Sequence, residues 1–157
     1  MEKLSNRSLI SRLYSSANQH LEDANFDTDN WSQWYQLVQD MTGPEKMVYI
    51  IVKLNQTVTN GGFAEFYEKH LGIFAPEIIH ALNLIKATGT AEIVDSSLPV
   101  VNPTGLLDNA YKECVFNLKL TEPQKAQLYS QDILYDQLHG VENLEVLLGN
   151  YLQALIS

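Results

Sequence analysis

Apolar residues return every three or four positions from one end of the chain to the other. Nowhere do they alternate with period two for long enough to predict a sheet. Leu9, Leu13, Ala17 and Leu21 step by four and form one stripe on a first helix. Asn25 to Asn30 is polar and turn-like, and Trp31, Trp34 and Tyr35 follow at helical spacing, predicting a short helix docked by its rings. Thr42-Gly43-Pro44-Glu45 is a helix start: Thr42 caps free amides, Pro44 suits the first turn and Glu45 completes a capping box. Met47, Ile50, Ile51, Leu54 and Val58 then share a face that Val48, Tyr49 and Val52 widen, which marks a helix at the centre of the molecule.

That central helix is expected to close at Thr59-Asn60-Gly61-Gly62, where Asn and Gly readily take the left-handed conformation, with Phe63, Phe66 and Tyr67 opening the next. Pro76 begins another helix, with Ile78, Ile79, Leu82 and Ile85 inward and a close near Gly89. A short helix over Ala91 to Leu98 precedes Pro99 and Pro103, and Thr104 to Leu118 forms the next. Thr121-Glu122-Pro123-Gln124 repeats the capping pattern for a helix through Leu128 and Tyr129, with a turn near Ser130 to Asp132. Val141, Leu144, Leu147, Leu148, Tyr151 and Leu155 stripe the last helix. The fold expected is all-α: one domain over residues 1–157, an orthogonal bundle of about seven to nine helices.

Composition supports a packed core. The 157 residues fit one domain, 45 % are hydrophobic and only 18 % are charged. The single cysteine, Cys114, excludes an internal disulfide and reads as a small buried core residue beside Tyr111, Val115 and Leu118. No apolar run is long enough for a signal peptide or a membrane span, so a cytoplasmic protein is the simplest reading.

Charge adds the functional hint. Nineteen acids against ten Lys and Arg give a net charge of −9. Such a surface repels nucleic acid and anionic membrane and attracts basic partners. Between Tyr14 and Glu45 stand six acids, Glu22, Asp23, Asp27, Asp29, Asp40 and Glu45, without one Lys or Arg. From Ala126 onward stand four more, Asp132, Asp136, Glu142 and Glu145, again without a base. An acidic surface serves solubility in any case; the two base-free stretches are what point to a basic partner.

Chemistry-bearing patterns are few. Glu77-Ile78-Ile79-His80 has the Glu-x-x-His form of di-iron bundles, but no second copy accompanies it, so His80 reads as a helix-surface or core-edge residue. His20, His70 and His139 lack zinc-ligand spacing, and no phosphate-binding or dinucleotide glycine loop occurs. Gly61-Gly62 could offer amides to an anion, but the flanking Glu65 and Glu68 would repel it. Paired acids on one helix do not establish a glycosidic cleft, and Cys114 has no nearby His. No enzyme, metal or cofactor is expected.

The stretch Val48 to Tyr67, with Asn60-Gly61-Gly62-Phe63 at its centre, resembles the signature of a bacterial helical domain family, mostly uncharacterised. Its hallmark is a helix ending in Asn-Gly-Gly-Phe followed by an aromatic pair. Ala81 to Ala87 resembles the family's next block, with Lys86 in place of its glycine, and Leu128, Asp132, Tyr135 and Tyr151-Leu152 resemble its ending. The resemblance covers about Met41 to the C-terminus. It implies a helical fold, a possible homodimer, and the role of a family member that is an acidic DNA mimic: to bind a transcription factor and keep it from its operator.

The function expected is therefore a non-catalytic acidic protein that binds the basic surface of a nucleic-acid-binding protein, without touching nucleic acid itself. Glu22, Asp23, Asp27, Asp29 and Asp40, with Asp132, Asp136, Glu142 and Glu145, are the candidate contacts. The alternative is an immunity-type protein that neutralises a basic toxin.

Overall fold

The computed structural model describes residues 4–27 and 29–156. Among them are eight α-helices, one 3-10 turn and no strand: α1 (Asn6–Ala24), α2 (Trp31–Gln39), α3 (Gly43–Glu68), the turn Leu71–Phe74, α4 (Ala75–Leu84), α5 (Thr88–Val101), α6 (Asp108–Phe116), α7 (Glu122–His139) and α8 (Leu144–Ile156). The molecule is an all-α bundle, as its periodicity predicts. No described helix is long and apolar enough to cross a membrane.

α3 is the central element because it is apolar on most of its circumference. Val48, Tyr49, Ile50, Ile51, Leu54 and Val58 are all buried, and α1, α4 and α7 pack around them. α1 buries Leu9 and Ala17 and packs on both α3 and α8. α2 is docked by its aromatic side: the Trp34 ring meets Phe74 edge-on at 5.0 Å, and Tyr35 stacks on the same ring at 5.8 Å. α5 packs on α4 and α7, and its buried Ser97 bonds the Tyr67 hydroxyl at 2.6 Å. That pairing satisfies two polar groups the core would otherwise strand.

The break at Asn-Gly-Gly-Phe is a kink inside α3. Gly62 alone leaves helical geometry, at φ 76° and ψ −177°, and Phe63, Phe66 and Tyr67 continue the helix with their rings fully buried. Three other boundaries differ from expectation. α4 closes at Leu84 through Lys86, which takes a positive φ of 69°, so Gly89 lies in the first turn of α5. α5 runs through Pro99 to Val101, because the proline ring fixes a φ that a helix already has and the helix ends two residues later. α7 is unbroken from Glu122 to His139; the polar run Ser130 to Asp132 is a helical stretch with Asp132 turned to the protein, not a turn.

Smaller corrections concern single residues. α6 starts at Asp108, four residues later than the sequence suggests, and Val141 stands outside α8 at 86 % exposure. Cys114 is half-buried at the edge of the core. Thr42 caps α3 by accepting from the Glu45 amide at 3.3 Å, but the Glu45 carboxylate takes Thr42 and Ser16 hydroxyls and lies 3.1 Å from His20 Nε2, tying α1 to α3. At Thr121 and Gln124 the full reciprocal box forms.

Candidate partner-binding surface

The first base-free stretch leaves five of its six acids exposed, Glu45 being buried. Glu22 and Asp23 end α1, Asp27 and Asp29 sit in the connection to α2, and Asp40 caps the far end of that nine-residue helix. All five are exposed, and none pairs with a Lys, Arg or His among the described residues. Their hydrogen bonds are local and leave the charge intact. Gln19 donates to Asp23 at 2.8 Å, the Asp29 amide to Asp27 at 2.9 Å, and Gln36 to Asp40 at 2.9 Å. The turn itself is held by Asn25 in the left-handed conformation and by Asn30, whose side chain caps α2.

The second stretch is divided. Asp132 and Glu142 are half-buried and serve the fold. Asp132 Oδ1 accepts from the Phe63 amide at 2.7 Å, capping the segment of α3 that restarts after Gly62. Burial pushes the Asp132 carboxyl above the usual range, and the Phe63 amide opposes that shift. Glu142 accepts from the Gly89 amide at 3.1 Å, and from the Thr90 amide and hydroxyl at 2.7 and 2.6 Å, capping α5 from a neighbouring loop. Glu145 is exposed and lies 3.5 Å from Arg7. Asp136 is exposed without an ion pair among the described residues.

The two stretches do not merge through Glu145. It meets the start of α1 at Arg7, whereas Glu22 lies fifteen residues further along that helix, roughly 22 Å at 1.5 Å per residue.

The Glu-x-x-His pattern serves packing. Glu77 accepts from the Tyr35 hydroxyl in a very short bond, from Gln39 at 2.9 Å and from Lys46 at 2.9 Å, while His80 is exposed. Burial pushes the Glu77 carboxyl up, but those donors and the Lys46 charge outweigh it and hold it below its ordinary value. No group of three or more His, Cys, Asp or Glu among the described residues has an arrangement that could hold a metal ion. Sequence reasoning missed the network of Tyr35, Gln39, Lys46 and Glu77, because its members come from three elements. The one local signal was an acid four residues after Ile73 on an otherwise apolar stretch.

Family-signature residues from distant parts of the chain meet around the kink. Besides the bond from Phe63 to Asp132, Tyr135 donates to Asn55 at 2.7 Å, and its ring lies edge-on to Phe63 at 5.9 Å. A Cβ built on Gly62 would stand 2.3 Å from Asp132 Oδ2. The signature is a clasp between α3 and α7.

These features define a class: an all-α protein with a clasped central helix and unpaired carboxylates on its surface. Within that class the chain belongs to the DMP19-like protein family, whose model matches residues 39–155. Neither the curated proteins nor the solved structures offer a match. The matched region takes in the clasp, Asp40 and the second acidic stretch; Glu22, Asp23, Asp27 and Asp29 lie before it.

Proposed function

We propose that this protein is a non-catalytic acidic binder, a DNA mimic that occupies the basic surface of a nucleic-acid-binding protein such as a transcription factor. The observation that carries the reading is the run of five exposed, unpaired carboxylates from Glu22 to Asp40, held on a chain that belongs to the DMP19-like family. A protein groove built for phosphates presents Lys and Arg side chains, and exposed carboxylates free of competing cations can meet them. The contact set is Glu22, Asp23, Asp27, Asp29 and Asp40, with Asp136 and Glu145 as separate contributors. Asp132 and Glu142 are committed to helix caps and are not contacts.

Two consequences follow from the physics. Association is fast and weakens with added salt, because exposed charges are screened over about 8 Å at physiological ionic strength. The partner binds either this protein or duplex DNA, never both. The test takes the protein captured from native lysate at low salt, purifies it and asks whether a labelled duplex is displaced. Displacement supports mimicry; a ternary complex with DNA contradicts it.

A further inference from the structure

A second recognition element shares α2 with the acidic stretch but is built mainly from other helices. A cleft of roughly 530 Å³ opens between α2, α4, α5 and α6. Its wall is apolar: Ile73 and Tyr111 are buried, while Ile79 and Leu98 are half-buried and face the opening. The apolar surface extends beyond the cleft. Leu106 and Leu107 stand on its rim at 38 % and 76 % exposure, in the loop before α6. A small ligand seated in the cleft would leave those rim leucines wet, so the shape suits a segment of chain that enters the cleft and crosses its edge.

Charge selects the kind of segment. Glu77 lies in the wall but is already neutralised by Lys46 at 2.9 Å. Asp95 and Asp108, both exposed at the opening, have neither an ion pair nor a side-chain hydrogen bond among the described residues. The cation at the site, Lys112, sits 4.1 Å from the centroid of the Tyr35 ring and is held against that aromatic wall. Two free carboxylates beside apolar surface repel nucleic acid and acidic peptides and attract Lys or Arg.

We propose that this cleft receives an apolar side chain carried on a basic segment of the partner protein, with flanking Lys or Arg of that segment meeting Asp95 and Asp108. The inference rests on the reading above that the partner is a basic protein, and it adds an anchor. Diffuse acidic charge steers the encounter, and a buried apolar residue slows release. Apart from Tyr35, the cleft residues fall inside the family-matched region, while Glu22, Asp23, Asp27 and Asp29 lie before it. The two elements can therefore be tested separately.

The experiment is an isotope-labelled titration of the full chain with three synthetic twelve-residue peptides. One carries Leu on one face and Lys on the other; one replaces each Leu with Ser; one replaces each Lys with Glu. The Leu–Lys peptide is expected to shift the amides of Ile79, Leu98, Leu107 and Tyr111, and to bind at least about tenfold more tightly than either control. D95N/D108N should weaken it by about tenfold and L107S by about threefold. All three positions are exposed, so neither variant endangers the fold.

Shifts confined to Glu22 through Asp29, or equal binding by the Ser-substituted peptide, would overturn the cleft and leave the acidic-binder reading in place. Equal binding by the Glu-substituted peptide, or no binding by any of the three, also overturns it. The DNA-displacement test of the acidic-binder reading does not depend on any of these results.

Discussion

Gly62 is where two independent constraints fall on one residue. Its φ of 76° with an extended ψ is a conformation only glycine adopts without strain, and the Asp132 carboxylate occupies the space a side chain would need. Gly62→Val should therefore lower stability by about 3 kcal/mol or more, a fall of roughly 6–12 °C in melting temperature for a chain of this size. Gly61 has no positive φ, but an added Cβ there would stand 2.8 Å from Glu65 Cβ, which the backbone holds in place, as well as 2.4 Å from the mobile Glu65 Oε2. Gly61→Ala is expected to cost about 1–2 kcal/mol through that contact, less than Gly62→Val because no backbone strain is added. Thermal melts of the two variants separate the positions. The Asn-Gly-Gly-Phe pattern announced a break here, but not which glycine makes it, since that is decided by the approach of a carboxylate seventy residues away.

Asp132 carries its own prediction. Burial favours its protonated form, so the folded chain holds that proton more tightly than the unfolded chain does. Its contribution to stability therefore declines as pH rises from the ordinary Asp range, near 3.9, through the raised folded value. Asp132→Asn keeps an acceptor for the Phe63 amide and removes that dependence; Asp132→Ala strands the amide and should cost about 1–3 kcal/mol at every pH. Chemical denaturation of wild type and both variants across the acid range checks this. The Asn variant is expected to be flatter there, and an Asn variant that tracks wild type would contradict the assignment.

At the scale of elements, local periodicity was a good guide to helices and a poor one to their ends. α1, the first half of α3, and α8 follow apolar stripes written in consecutive residues. The ends of α4 and α5 do not. Lys86 closes α4 with a left-handed residue that is neither Gly nor Asn, and Glu142 caps α5 from 52 residues beyond Thr90. Neither has a signature in its own neighbourhood. Pro99 suggested a stop, but a proline in the last turn removes one hydrogen bond and leaves the dihedral angles helical.

The same blindness explains the acidic tail. From sequence, Asp132 and Glu142 are equivalent to Asp136, since whether a carboxylate faces water or an amide is a property of the packed molecule. Glu142→Gln should destabilise by about 1–2 kcal/mol by weakening the cap on Gly89 and Thr90, whereas Asp136→Asn should stay within about 0.5 kcal/mol. Urea unfolding of the pair measures the contrast, and equal values would place Glu142 among the surface acids after all.

Over the whole molecule, the excess of nineteen acids over ten bases is spread in three ways. Some carboxylates cap helices, as Asp132 and Glu142 do. Others sit in polar networks that join elements, as Glu45 and Glu77 do. A third group, the five from Glu22 to Asp40, is exposed and has no Lys, Arg or His partner among the described residues. That third group gives the molecule its usable charge. It was legible in the sequence because a stretch without Lys or Arg cannot neutralise itself locally; what the structure adds is that no distant cation among the described residues reaches it either.

The variant E22Q/D23N/D27N/D29N removes four charges from exposed positions and should leave the melting temperature within a few degrees of wild type. The most direct measurement is the dissociation constant for the purified partner between 50 and 300 mM salt, with wild type and this variant side by side. Wild type should lose affinity steadily with salt, and the variant should bind at least about tenfold more weakly at 50 mM with a shallower salt slope. Equal affinity of the two proteins, or affinity independent of salt, would mean that this acidic turn is not the surface that binds.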